Sequence, residues 1–244
     1  MYNRAETKTA NQEFYAYIFQ ELASRKINAP KELSKNEGSI DFWGSKEFFF
    51  SQTCGLPYRL FLSDKVTLIG TPDYGLEGCK PGYYNSVFVV RNEDKSKILS
   101  DFLSLKFAYN ELYSQSGWAA ADEHLGRLTK KFGNLILSGS HRSSAKLVSE
   151  GKADIAAIDA LSFKFIKQYD SFSSNLSIIE NTRPTPGLPF IAYLGANEKL
   201  FFEAITQAIK LLTSKTREIL HLKGLVKISK SEYLKIKTPN FNCK

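Results

Sequence analysis

Cysteine, histidine and long apolar runs are all scarce in this chain of 244 residues. Its three cysteines, Cys54, Cys79 and Cys243, show no Cys-x-x-Cys spacing, and its three histidines, His124, His141 and His221, lie far apart in sequence. That sparsity argues against a structural zinc site, so neither a metal nor a cofactor is expected. No stretch approaches the roughly 18 consecutive apolar residues of a membrane span. The first residues, MYNRAETKTANQEF, lack the charged, apolar and small-residue order of an export signal. Work outside the cytoplasm therefore implies an address that lies upstream or has been removed, and a cytoplasmic location stays open. Internal repeats and low-complexity tracts are missing as well.

What is present describes a packed, soluble domain: 43% hydrophobic and 24% charged residues, with a formal net charge of +8. The lysines are spread along the whole chain, with a mild excess from Lys223 to Lys244, and no run alternates basic with aromatic residues. Nucleic acid is not the expected partner.

Residues 8–28 carry Phe14, Tyr17, Ile18 and Leu22 at helical spacing, and Asn28-Ala29-Pro30 is the expected stop. EFFFSQT, VTLIGTP and NSVFVVR then read as short strands covered on both faces. After them strands and helices alternate: LKFAYN, a helix from about Gly117 to Phe132, NLILSGS, a helix from Ser143 to Glu150, ADIAAID, a helix through Ile166, and LSIIENT. RPTPGLP links this block to another strand, FIAYLG, and a long helix with Phe201, Ala204, Ile205, Ala208, Leu211 and Leu212 on one face. The pattern predicts an α/β fold with largely parallel sheets. Its simplest organisation is two lobes joined by two crossing segments around a central cleft, lobe one from residues 1–87 and 188–244 and lobe two from 88–187.

The chemistry is expected at strand-to-helix junctions, because a helix start offers unsatisfied backbone N–H groups and a positive dipole end to an anion. In FAYNELYSQSGW an apolar run stops at Asn110 and a helix begins near Ser116. Its buried stripe is expected to be Trp118, Ala121, Leu125, Leu128 and Phe132. Ser114, Gln115 and Ser116 can add side-chain donors there, and Gly117 can let a ligand come close; an ordinary N-cap would use the same residue types. His141 stands at the start of the next helix, in LILSGSHRSS, where it serves either as a solvated cap or as a donor to the same seat. Asp159, at the end of ADIAAID, reads as an N-cap or as an acceptor for a ligand that brings its own hydrogen. In the first lobe Gln52, Thr53 and Cys54 follow a strand in the same way, and Tyr2 and Tyr84 are candidate wall residues. Cys54 and Cys79 could pair in an oxidising compartment, where closing a loop of about 26 residues is worth on the order of 3 kcal/mol, or remain two reduced thiols.

The ordered set MYNRAE, FFFSQTCGLPY, GTPDYGLEGCKPGYYNSVFVVR, FAYNELYSQSGW, SGSHRSSAKLVSEGKADIAAID and PGLPFIAYLG resembles the phosphate, phosphite and phosphonate substrate-binding family of ABC importers. The resemblance covers nearly the whole chain. It implies a two-lobed type II periplasmic-binding-protein fold and a non-enzymatic, extracytoplasmic binder of a small anion. It also implies a monomer that serves the membrane subunits of a transporter. In that family phosphoryl oxygens are held by a hydroxyl-rich loop, which Ser114, Gln115 and Ser116 match by position, and by a histidine, which His141 matches. Family members that bind phosphonates carry Ser-Thr-x-Ser where this chain has Ser114-Gln115-Ser116, and of their acidic residues for an amino group only Asp159 has a counterpart, so another small solute stays open. The alternative is an enzyme or a ligand sensor on the same fold, such as a protein that binds or makes a thiamine-pyrimidine precursor. No cysteine-rich motif supports the enzyme, and no appended helix-turn-helix supports the sensor.

Overall fold

A computed structural model describes residues 2–34, 39–127 and 131–239. The chain divides into two compact units, one of Met1–Tyr83 and Pro186–Lys235, the other of Tyr84–Thr185 with Ile236–Lys244.

The first unit carries a four-stranded sheet in the order Phe50–Gln52, Phe190–Tyr193, Val66–Asp73, Gly224–Val226, and every neighbouring pair is antiparallel. Alternate residues feed opposite cores, as a pleat of period two requires. Phe190 and Ala192 join Phe14, Leu22, Phe201 and Ile205, whereas Ile191 joins Trp43, Tyr58 and Tyr233. The helices Lys8–Ser24 and Glu198–Leu211 supply the first of these cores.

The first helix ends four residues before the expected stop. Lys26 turns left-handed at φ 59°, so that its N–H reaches the Ala23 carbonyl and the Ile27 N–H reaches Leu22. This is a Schellman closure with lysine where glycine is usual, at a cost of about 1–2 kcal/mol for the left-handed residue. Ile27 packs on the core that holds Leu22, which offsets that cost. Without a glycine, nothing in the sequence marks the stop.

The second unit carries a five-stranded sheet in the order Asn134–Leu137, Lys106–Tyr109, Ile155–Asp159, Ser86–Arg91, Leu176–Asn181. The first three strands are parallel, and Ser86–Arg91 runs antiparallel to both of its neighbours. Both faces are covered: Val87, Val89, Ala156 and Ile158 enter one core, and Phe88, Val90, Ile155 and Ala157 the other. Continuous apolar runs are the result, and they locate these strands from sequence. They carry no information on direction, because a strand buried on both faces reads the same either way. The expectation of largely parallel sheets is therefore corrected: the four-stranded sheet is antiparallel and the five-stranded sheet is mixed.

The helix expected from Gly117 starts earlier, as a π-turn over Gln115–Ala119, and continues as an α-helix over Ala120–Arg127. Trp118, Ala121 and Leu125 face the core as expected, while Leu128 lies outside the described residues. Phe132 is no longer helical but stacks on Phe107, with ring centroids 4.1 Å apart. The next two helices span His141–Ser149 and Ala160–Tyr169. Among the described residues no helix is long and apolar enough to cross a membrane.

Candidate functional site

The three parallel strands of the second unit end at one edge of the sheet, and each hands over there to a helical turn. The register pairs Tyr109 with Leu137 and Ala108 with Ala156, and the antiparallel neighbour begins at the same edge because Ser86 pairs with Asp159. Parallel pairing thus gathers the starts of three helices, which an antiparallel sheet cannot do.

The Ser114–Gly117 turn is fixed from several sides. Ser114 caps it by accepting the Gly117 N–H at 3.0 Å, and the first wide turn closes with the Ala119 N–H on the Ser114 carbonyl at 3.0 Å. A π-turn begins its ladder one residue later than an α-turn, so its leading amides point out of the helix start. The Ser86 hydroxyl donates to the Ser116 carbonyl at 2.8 Å, and the Ser86 N–H donates to Thr182 Oγ1 at 2.9 Å. The turn is thereby tied to the sheet edge. Ser114, Gln115 and Ser116 are all buried.

His141 arrives from the neighbouring strand. Ser138 and Gly139 donate their N–H groups to the carbonyls of Tyr109 and Asn110, and Ser140 caps the following helix through the Ser143 N–H. This places His141 Nε2 2.8 Å from Ser116 Oγ. Burial lowers the imidazole pKa to about 4, so the ring is neutral at pH 7. The ring Nδ1 is enclosed with no hydrogen-bond partner. Arg142 is bound by Asp170 at 2.7 Å.

Gly117 has a use the sequence does not announce. A Cβ built there would lie 1.8 Å from Asn110 Oδ1 and 3.2 Å from His141 Cε1, so the missing side chain makes room for the protein's own asparagine. The space that Gly117 opens is thus used by Asn110. Asn110, Ser86, Thr182 and Ser138 were not singled out in the sequence. Only Asn110 left a signal there, as the residue that ends an apolar run.

Asp159 stands at the same sheet edge, opposite Ser86. Asp159, 1% exposed, accepts the Ser162 N–H at 2.7 Å and so caps the Ala160–Tyr169 helix. Tyr84 is buried in the segment ahead of Ser86. In the first unit the Gln52 amide donates to Tyr74 Oη at 3.1 Å and to the Leu188 carbonyl at 3.0 Å, and Tyr2 meets Tyr74 edge-on at 5.1 Å. Thr53 is buried, with its N–H on the Pro189 carbonyl and its Oγ1 enclosed without a partner. Cys54 is buried at the start of the Gly55–Pro57 turn.

No disulfide joins Cys54 to Cys79. Each belongs to a separate local turn, Cys54 through the Tyr58 N–H on its carbonyl and Cys79 through its own N–H on Leu76. Burial pushes the Cys79 pKa up to about 11, which keeps it in the unreactive thiol form at neutral pH. Cys243 lies outside the described residues.

Among the described residues no cluster of three or more His, Cys, Asp or Glu is placed to hold a metal. A hollow of about 290 Å³ in the first unit, lined by Arg25, Phe202, Glu203, Thr206, Gln207 and Lys210, lacks the converging buried groups of the Ser116–His141 seat. Its Arg25 is already engaged by Glu21 at 2.6 Å.

The family model described as "ABC transporter, phosphonate, periplasmic substrate-binding protein" matches residues 1–233. A solved Prochlorococcus marinus protein, PhnD1 in complex with methylphosphonate, is 18% identical and superposes with a TM-score of 0.69, covering 93% of this chain and 90% of its own. A Xanthomonas citri protein solved with chloride is 14% identical, with a TM-score of 0.68 and 94% and 90% coverage. A binding-protein component of a phosphonate ABC transporter from Pseudomonas aeruginosa is 12% identical, with a TM-score of 0.66 and 91% and 77% coverage. At these identities the structures establish a shared fold, the two-lobed α/β type II periplasmic-binding-protein fold with mixed sheets. No curated protein matches the chain by sequence.

Proposed function

We propose that this chain captures a small tetrahedral oxyanion, phosphate or a simple phosphonate, from a plain premise: it belongs to the family of periplasmic substrate-binding proteins of ABC phosphonate transporters and is the solute-binding, non-enzymatic component of an importer. The enzyme alternative falls with that membership. The observation that carries the ligand class is the part-buried, uncharged Ser116–His141 pair at a helix start. A hydroxyl and a neutral imidazole offer short directional hydrogen bonds, and the adjoining helix start adds N–H dipoles, which suits an anion held without a counter-charge. The phosphonate reported in the Prochlorococcus protein and the phosphonate transporter named for the Pseudomonas protein support the same class. We assign Ser114, Gln115, Ser116, Gly117 and His141 to this seat, with Tyr84 and Asp159 of the same unit as further proposed contributors, and Tyr2, Gln52, Thr53 and Cys54 are proposed as ligand-binding residues of the first unit. The partners are the membrane subunits of the transporter, and the site of action is outside the cytoplasmic membrane.

The test is calorimetric titration of the full chain with phosphate, phosphite, methylphosphonate and carboxylates, repeated on Ser116→Ala and His141→Ala. A phosphorus oxyanion should bind, and each variant should bind it roughly tenfold to a hundredfold more weakly while unfolding at a similar temperature. Equal binding by both variants would reject the seat.

A further inference from the structure

Asn110 closes the Lys106–Tyr109 strand, and its carbonyl accepts the Gly139 N–H at 3.0 Å, so the two loops that build the seat share it as a joint. Its side chain turns onto Gly117, where the position of an absent Cβ lies 1.8 Å from Oδ1 and 3.2 Å from His141 Cε1. Asn110 and the imidazole therefore flank the same glycine. Asn110 Oδ1 is enclosed and has no donor, and His141 Nδ1 is enclosed and has no partner either.

An oxygen rather than an NH2 group belongs against Gly117, because a Cα–H can be accepted by a carbonyl but collides with amide hydrogens. A fixed acceptor beside an anion seat repels a fully ionised oxyanion and rewards one that carries a hydroxyl. Leaving such an acceptor without a hydrogen bond is costly, so a ligand able to satisfy it gains over one of equal shape that cannot.

Resting on the oxyanion reading above, we propose that Asn110 is a specificity-determining residue whose Oδ1 accepts a hydrogen bond from a ligand hydroxyl. The seat then takes hydrogen phosphate or a monoprotonated phosphonate and refuses sulfate and sulfonates. These have similar tetrahedral shapes but no proton to give at neutral pH.

The experiment is calorimetric titration of the full chain with phosphate, methylphosphonate, sulfate and methanesulfonate across neutral to alkaline pH, on the parent, Asn110→Ala and Asn110→Asp. Sulfate should bind the parent roughly a hundredfold more weakly than phosphate, as expected when a site built for a hydroxyl meets a ligand without one. Methylphosphonate affinity should fall about tenfold per pH unit once its last proton leaves, because one bound proton is then required. Hydrogen phosphate, which keeps a hydroxyl in that range, should hold. Asn110→Ala should narrow the gap between phosphate and sulfate to roughly tenfold or less. If Asn110→Ala does not fold, Asn110→Asp decides: it keeps an acceptor in place and should preserve the discrimination, and loss of it there overturns the proposal. Sulfate binding the parent as well as phosphate, or an unchanged gap in a folded Asn110→Ala, overturns the role of Asn110 and leaves the oxyanion reading standing. Binding of none of the four ions by the parent overturns that reading and this one together.

Discussion

The two sheets are alike in being covered on both faces and unlike in direction, and the difference decides where chemistry can gather. In the first unit every neighbouring pair is antiparallel, so strand ends alternate between edges, and the Phe50–Gln52 strand opens alone into the Gly55–Pro57 turn. Its amide group is already spent on Tyr74 and Leu188. In the second unit three parallel strands discharge at one edge and bring Ser116 and His141 into contact from helices 25 residues apart in sequence. Direction of pairing, more than residue content, separates a strand-to-helix loop that braces itself from one that meets a neighbouring helix start.

The sharpest way to break this comparison is acid. The folded-state pKa of His141 lies near 4 against an ordinary 6.5, so between those values the unfolded chain binds more protons and stability falls as pH is lowered. The loss should begin below pH 6.5, reach up to about 3 kcal/mol near pH 4, and be visible in urea melts; it should largely vanish in His141→Asn. A melt with no slope in that window for the parent would contradict a buried neutral ring.

Next in size is Gly117→Ala, whose Cβ must expel Asn110 from an enclosed place. It should cost roughly 2 kcal/mol and weaken solute binding as well, read from melting and titration. Gln52→Ala in the first unit removes two hydrogen bonds to neutral groups. It should lower stability by about 1 kcal/mol, and its effect on solute affinity should be smaller than that of Ser116→Ala. Smallest is Gly224→Ala, where a Cβ meets open space: a change within about 0.5 kcal/mol either way is expected, and a large loss would mean the strand edge is tighter than drawn.

Much of this was legible in the chain. Ser86–Arg91 and Ile155–Asp159 announced themselves because burial on both faces leaves an unbroken apolar run, whereas the sequence pattern puts the two helix starts two residues late, at Gly117 and Ser143 in place of Gln115 and His141. Ser116 and His141 could be nominated for one edge because each follows a strand. Their contact could not be read, since it depends on which strands lie side by side. Strand direction was hidden by the symmetry of the apolar runs, the stop at Lys26 by the lack of a glycine, and the π-turn because a wide turn and an α-turn accept the same serine cap. Asn110 and Gly117 are seven residues apart, and only coordinates reveal that one needs the other to lack a side chain.

A seat made of a hydroxyl, an uncharged ring and peptide dipoles responds weakly to dissolved electrolyte, because short hydrogen bonds in an enclosed place are screened far less than pairs of opposite charges in water. If the proposed seat holds the solute, affinity should be nearly the same in dilute and in briny solution, and release would need no ion pair to be broken.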